Sequence, residues 1–244
     1  INLIYCPTID EVFKSVGSDV AAYGVVPLEN STEGAISRTL DLLFESSLKL
    51  CGEIGLPVRH NLLSKEKPEN IEKIYSHSQS LSQCQKWLGQ HFPSAHLIPV
   101  ASNAAAAKLV ATEARSAAIA GRIAGEHFGL TVIHSSIEDK PDNTTRFGVI
   151  SKTAVGTSGS DKTSIVLAAQ HKPGAILSLL EPLAENGISM TRLESRPSGL
   201  GLWEYMFFID LEGHKDDEVM QAALSEIQSK SGFFKILGSY PKTV

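Results

Sequence analysis

Between Lys152 and Lys162 the chain reads KTAVGTSGSDK, rich in Gly, Ser and Thr and with little to bury. Such a segment adds almost nothing to a core, so it reads as a linker, with a long surface loop inside one domain as the alternative. It sets domains at residues 1–152 and 163–244, joined by 153–162. A chain of 244 residues suits two domains of ordinary size.

The two sides differ in element order. Before the linker, strand-like and helix-like segments alternate. Ala21–Leu28 precedes a helical pattern over Ala35–Glu45; Leu48–Ile54 and Leu56–Leu63 read as strands. Ile71–Tyr75 precedes a helix over Gln79–Gln90, and Leu97–Val100 precedes the Ala-rich helix Asn103–Ala114. Ala117–Ala120, Leu130–Ile133 and Arg146–Ile150 close the set. That alternation predicts an α/β domain with a mostly parallel sheet. After the linker come strand Thr163–Gln170, helix Pro173–Glu185, strands Ile188–Arg196 and Leu202–Leu211, helix Asp216–Lys230 and strand Phe233–Tyr240. Pro173 suits a first helical turn, Gly187 the end of that helix, and Pro182 a kink or boundary. The order βαββαβ predicts a ferredoxin-like sandwich.

Composition narrows the function classes. The net charge is −5, from 22 basic and 27 acidic residues, which disfavours nucleic acid or an anionic membrane as partner. No apolar run reaches about 18 residues, so no membrane-spanning helix is expected. Cys6, Cys51 and Cys84 lie far apart without a CxxC, as in a reduced, cytoplasmic protein. The eight histidines show no HxxxH or HxH pairing, so no metal site is expected. The start INLIYCPTIDEV is neither signal peptide nor tag, and further residues are expected upstream of Ile1.

Three junctions share one form, an apolar strand followed by small polar residues and a helix. They are VVPL with Glu29–Asn30–Ser31–Thr32–Glu33–Gly34, KIY with Ser76–His77–Ser78–Gln79, and LIPV with Ala101–Ser102–Asn103. In open α/β sheets ligands sit at the carboxyl ends of strands, where helix N-termini favour anions. Converging junctions of this kind suit a small carboxylate; ordinary helix caps are the alternative. GxGxxG and P-loop motifs are lacking, so a nucleotide is not indicated. A fourth cluster, Asp142–Asn143–Thr144–Thr145–Arg146–Phe147, sets an Arg among hydroxyls, suited to a carboxylate or to a solvated turn. There is no catalytic triad and no pair of carboxylates at catalytic spacing. His60 and His77 read as packing or hydrogen-bonding residues, and Cys84 as a buried thiol. These residues alone suggest a two-domain binder or enzyme for a small acid.

The strings VVPLENSTEGAISRTLDLL, YSHSQSLSQC and NTTRFGVIS resemble the catalytic domain of prephenate dehydratase. PGAILSLL and ISMTRLESRPS resemble the ACT regulatory domain that follows it, in the right order over about residues 4–241. The resemblance implies an enzyme that turns prephenate into phenylpyruvate, water and CO2 without cofactor or metal. It implies two α/β lobes with the cleft between them, shaped like a periplasmic binding protein, and an ACT domain that binds L-phenylalanine at a dimer interface and inhibits. A homo-oligomer, dimer or tetramer, is expected. Some members are fused behind a chorismate mutase domain, and such an upstream fusion stays open. By motif match Thr145 takes the place of the family's essential threonine, and Asn30, Ser76 and Gln83 its other catalytic polar positions. Glu29, Ser31, His77, Ser102, Arg146 and Phe147 are expected to bind substrate; Arg146 either pairs with a carboxylate or braces the cleft. The effector region falls on Gly174, Ala175, Ile176, Glu194, Ser195, Arg196 and Pro197, with Asn186 and Ile188 in the adjoining loop. A Gly- and Pro-rich strand and loop that opens the family pattern is not in these residues. Ser78 stands where Pro is usual and Ile176 where Leu is usual. Arogenate dehydratase shares the motifs and is the rival enzyme; a non-catalytic phenylalanine sensor is the rival of another class.

Overall fold

The computed structural model describes residues 2–169, 172–197 and 205–243. Along the chain run α1 (Ile9–Gly17), β1 (Gly24–Asn30), β2 (Gly34–Ala35), α2 (Ser37–Glu45), β3 (Lys49–Pro57), β4 (Asn61–Ser64), β5 (Lys73–Ser76) and α3 (Ser78–Gln83). Next come α4 (Gln85–His91), β6 (His96–Pro99), α5 (Asn103–Val110), β7 (Ser116–Ala120), α6 (Arg122–Phe128), β8 (Thr131–His134) and β9 (Thr144–Ser151). The last set is β10 (Asp161–Ala168), α7 (Ala175–Glu185), β11 (Met190–Pro197), β12 (Tyr205–Glu212), α8 (Glu218–Lys230) and β13 (Phe233–Pro241). Residues 57–144 form one unit; residues 1–56 with 145–244 form the other. Residues 202–204 of the expected strand 202–211, and Gln170 at the end of strand 163–170, lie outside the described residues.

The unit 57–144 is a five-stranded sheet in the order β6-β5-β7-β4-β8. β5 runs parallel to β6 and β7, but β4 is antiparallel to β7 and β8, so the expectation of a mostly parallel sheet gives way to a mixed one. Ile74, Leu62 and Ile119 pack with Cys84 and Leu88. Their neighbours Tyr75, Leu63 and Ala118 pack with Ala106, Ala107 and Val110 of α5. Strand side chains alternate faces, so one sheet feeds two cores. The helix expected over Gln79–Gln90 is broken at Cys84. The Asp139 carboxylate accepts from the amides of Lys86 (2.9 Å) and Trp87 (3.0 Å), capping a new helix start from outside.

In the other unit, α1 packs Phe13 and Val16 under the sheet β2-β1-β9-β3, alongside Leu40 and Leu43 of α2. Thr8 caps α1 through the Glu11 amide, a start the sequence reading passed over. The C-terminal segment forms the antiparallel sheet β11-β12-β10-β13 with elements in the expected βαββαβ order. Ile165 and Leu167 face α7 and α8, whereas Val166, Phe208, Leu237 and Tyr240 join the core of the first sheet. β10 is buried along nearly its whole length, which accounts for its continuous apolar run IVLA. α7 begins at Ala175, so Pro173 lies before the helix rather than in its first turn; Pro182 sits inside its last turn. Within 153–162, the Ser158 and Gly159 amides donate to the Asp161 carboxylate at 2.8 and 3.1 Å, closing a turn.

Candidate functional site

Asn30 ends β1 and Thr145 is the second residue of β9, and the two are register partners. Asn30 is buried, and its amide Nδ2 donates to Thr145 Oγ1 at 3.0 Å. Asn30 Oδ1 accepts from the Thr32 and Glu33 amides at 2.9 and 3.2 Å, an Asx turn that fixes the side chain. The donor identity is therefore set: Thr145 oxygen is an acceptor here, and its own proton points elsewhere. The segment after Asn30 is a short hairpin to β2, not a helix start; α2 begins only at Ser37, without a side-chain cap. Ser31 is exposed at the tip, and Phe147 pairs with Pro27 farther along β9.

In the unit 57–144, two of the predicted junctions meet, because β5 and β6 are parallel neighbours. Asn103 Oδ1 accepts from the His77 amide at 3.1 Å, and Asn103 Nδ2 donates to Ser80 Oγ at 2.9 Å. Ser76 is fully buried, with its single proton between Asn103 Oδ1 (2.8 Å) and Ile119 O (2.7 Å). In this arrangement Ser76 braces the junction. His77 caps α3 and Ser102 caps α5, accepting from the Ala105 amide at 3.0 Å. Gln83 Oε1 accepts from His60 Nε2 at 2.7 Å and Asn143 Nδ2 at 3.2 Å. Asn103 stood in the sequence junction without a role; Asn143 stood in the polar run before β9. Cys84 is buried, and burial, with Asp139 and Glu138 nearby, pushes its thiol up to about 12.

The Arg146 guanidinium is engaged on three sides. Nε donates to Glu53 at 2.7 Å, Nη1 to Asp210 at 2.5 Å and Nη2 to the Tyr240 hydroxyl at 2.9 Å. Burial works against its charge, but Asp210, Tyr240 and Glu53 hold it above its ordinary value. Glu29 pairs with Arg192 Nε at 2.6 Å and lies 3.7 Å from Arg146. Burial also opposes the Glu53 charge, yet Lys162 and Arg146 keep that carboxyl below its usual range. Sequence reasoning missed Glu53, Arg192, Asp210 and Tyr240. The available signal was an acid inside an apolar strand, as in YMFFIDLE and KLCGEIGLP.

In the C-terminal segment, Gly174 takes φ +76° just before α7, a left-handed conformation that favours glycine. Ala175 is buried and Ile176 partly exposed. Asn186 ends the helix, its Nδ2 donating to Pro182 O at 2.8 Å, with Ile188 following. On β11 the side chains alternate. Arg192, Glu194 and Arg196 are half-buried, and Leu193, Ser195 and Pro197 exposed. Arg196 pairs with Asp41 at 2.9 Å and donates to Ser37 O. Among the described residues no helix is long and apolar enough to cross a membrane.

Comparison with known proteins gives this geometry a context. The family model for prephenate dehydratase matches residues 1–155, and that for the ACT domain residues 163–228. A bifunctional chorismate mutase/prephenate dehydratase of Neisseria gonorrhoeae is 52% identical over 243 residues, covering 98% of this chain. The chain spans about two thirds (67%) of that relative's length. The prephenate dehydratase of Methanocaldococcus jannaschii is 37% identical over 243 residues, covering 97% of this chain and 87% of its own. The solved structure of the Arthrobacter aurescens prephenate dehydratase in complex with L-Phe superposes with a TM-score of 0.88 at 31% identity, covering 98% of this chain and 81% of that one. With its part-buried Asn30–Thr145 pair in one matched region and its βαββαβ sheet in the other, this chain belongs to the prephenate dehydratase family, an enzyme region followed by an ACT domain.

Proposed function

We propose that this protein converts prephenate to phenylpyruvate, releasing water and CO2, and that L-phenylalanine on the ACT domain inhibits it. The observation that carries the reading is the Asn30–Thr145 hydrogen bond. In the reaction the ring C–O bond breaks and its electron pair leaves on oxygen. The bond to the ring carboxylate breaks too, and its pair enters the ring, which becomes aromatic. The departing oxygen takes a proton from solvent and leaves as water, so that prephenate and one proton give phenylpyruvate, CO2 and water. Aromatisation supplies the driving force, so the protein has to hold the ring and assist the leaving group. Thr145 is too weak an acid to titrate as a general acid. With its oxygen accepting from Asn30, its O–H is oriented to donate to the departing oxygen, stabilising charge as it develops. Gln83 keeps the catalytic role, and Ser31, His77, Ser102 and Phe147 the substrate-facing roles, that their motifs imply; Ser76 supports the site by bracing its junction, and Arg146 and Glu29 brace the cleft through their ion pairs. Gly174, Ala175, Ile176, Asn186, Ile188, Glu194, Ser195, Arg196 and Pro197 keep the effector role. The sheet edge at β11, with Leu193 exposed and Leu177 72% exposed on α7, suits self-association through the ACT domain. Three unpaired thiols suit the cytoplasm.

The test is turnover of prephenate, followed as phenylpyruvate, with and without L-phenylalanine. Thr145→Ala is expected to lower kcat by roughly 10²–10³, and Thr145→Ser to recover most of it, because only the alanine lacks the donor. Equal losses in the two variants would sink the donor role; absent turnover in the parent would sink the assignment.

A further inference from the structure

Within the unit 1–56 with 145–244, two cross-strand pairs face each other where the ACT sheet packs on the first sheet. Glu29 and Arg146 are register partners on β1 and β9, one step from Asn30 and Thr145. Arg192 and Asp210 are register partners on β11 and β12, and Arg192 is two residues from Glu194. The ion pairs run crosswise, Arg146 to Asp210 and Arg192 to Glu29. A closed ring of hydrogen bonds backs them. Arg146 Nη2 donates to Tyr240, Tyr240 to Ser164 Oγ (2.6 Å), Ser164 to Asp210 Oδ1 (2.5 Å), and Arg146 Nη1 returns to Asp210 Oδ2. Glu53 joins Arg146 to Lys162 at 2.7 and 2.8 Å.

We infer that Asp210 and Tyr240 are positioning residues for Thr145: acting through Arg146, they let the ACT sheet set the alignment of the catalytic hydroxyl. Three arguments carry this. Arg146 is the next residue on the strand from Thr145, so its guanidinium and the Thr145 backbone move together. The guanidinium cannot swing away without taking an ion-pair partner from both Asp210 and Glu53, whose side chains are only 4% and 3% exposed. The β1–β9 ladder has its irregularity between Pro27 and Glu29, beside the Asn30–Thr145 pair, so side-chain ties fix the alignment where main-chain pairing is interrupted. Arg192, gripping Glu29, lies on the same strand as the proposed effector residues. An effector that shifts β11 therefore pulls on both neighbours of the Asn30–Thr145 pair.

The kinetic half of this inference rests on the proposed reaction; the structural half does not. The experiment uses the full chain with ¹³C-methyl threonine, the Thr145 signal being assigned by its loss in Thr145→Ser. Tyr240→Phe keeps the ring and removes only the oxygen that bonds Arg146 and Ser164. Asp210→Asn keeps the shape and removes the charge. In Tyr240→Phe the Thr145 methyl is expected to move while that of Thr112, in the other unit, stays. In the same variant kcat is expected to fall on the order of 10-fold, with KM within about twofold, the signature of misplacement rather than lost binding. Should Asp210→Asn fail to fold, Tyr240→Phe decides alone. An unmoved Thr145 methyl overturns the inference, and so does a raised KM with kcat intact, which would make Arg146 a substrate-binding group. If the parent does not turn over prephenate, the proposed function fails and the methyl shift still decides this inference.

Discussion

A hydroxyl oxygen that accepts a hydrogen bond from an amide has its proton available in another direction, and that fact governs the chemistry available to Thr145. Asn30 can give this bond because its own oxygen is held by the Thr32 and Glu33 amides, which settles which end of the side chain faces Thr145. Asn30→Asp is nearly isosteric and keeps the Asx turn, since a carboxylate still accepts from both amides. Toward Thr145 it inverts the bond: the hydroxyl now donates to the carboxylate and its proton is taken. We expect kcat to fall by roughly 10²–10³, and the urea midpoint to reflect a change of no more than about 1 kcal/mol. Preserved kcat would show that hydroxyl orientation is irrelevant to turnover. The polar clusters that hold Asn30 and Thr145 were legible in the sequence because polar residues at strand ends stand out against apolar runs; the choice of these two within the clusters came from the family resemblance. The direction of their bond was not legible, nor was the burial of Ser76 against Asn103 and Ile119, because those partners come from elements distant in the chain.

Strands in continuous apolar runs were easier to read than helix limits, for a physical reason, although the strand expected over Leu56–Leu63 is divided between the end of β3 and β4. A run such as IVLA is apolar wherever both faces are covered, whatever covers them. Helix limits here depend on partners from outside: Asp139 divides α3 from α4 by holding amides about fifty residues back in sequence. Close approach between elements is equally invisible in sequence, and Gly238 on β13 is the sharpest case. A Cβ at that position would lie 2.0 Å from the Leu50 carbonyl oxygen and 2.8 Å from its amide nitrogen. Both are backbone atoms of β3, so no side chain can swing away. The ladder with β10 shifts register beside it, between Ser164 and Ile165. Gly238→Ala is expected to cost about 3 kcal/mol or more, at the upper end of overpacking, read as a lower urea midpoint with unchanged slope. Its effect on turnover should follow from the folded fraction alone. A neutral result would mean that β13 can withdraw from β3 at little cost.

Motif order divides the chain at 153–162, but packing joins what the motifs divide. Val166, Met206, Phe208, Leu237 and Tyr240 of the ACT sheet complete a core begun by Val26, Leu28, Leu40, Leu43 and Leu50. Among the described residues the two sets form one shared core, so they should gain and lose structure together. Amides of β10 and of β1 are expected to exchange with deuterium at a common opening free energy, a pattern two independent domains would not give. Charge gives that shared core a pH dependence whose sign follows from Glu53. Burial opposes its ionisation, but Lys162, Arg146 and the Thr243 amide prevail, so its folded pKa lies below its ordinary value of 4.5. A depressed carboxyl stabilises the fold fully above the unfolded value. That contribution is lost as pH falls through the folded value. Glu53→Gln removes one buried acid from beside two half-buried cations, and is expected to destabilise this unit by about 3 kcal/mol at pH 7. Below pH 4.5 the difference from the parent should shrink, because acid neutralises the parent's carboxyl as well. Urea unfolding of both proteins at pH 7 and at pH 3.5, followed on β10 amides, measures it. A gap that stays constant with pH would mean that Glu53 holds the two sheets together by shape alone.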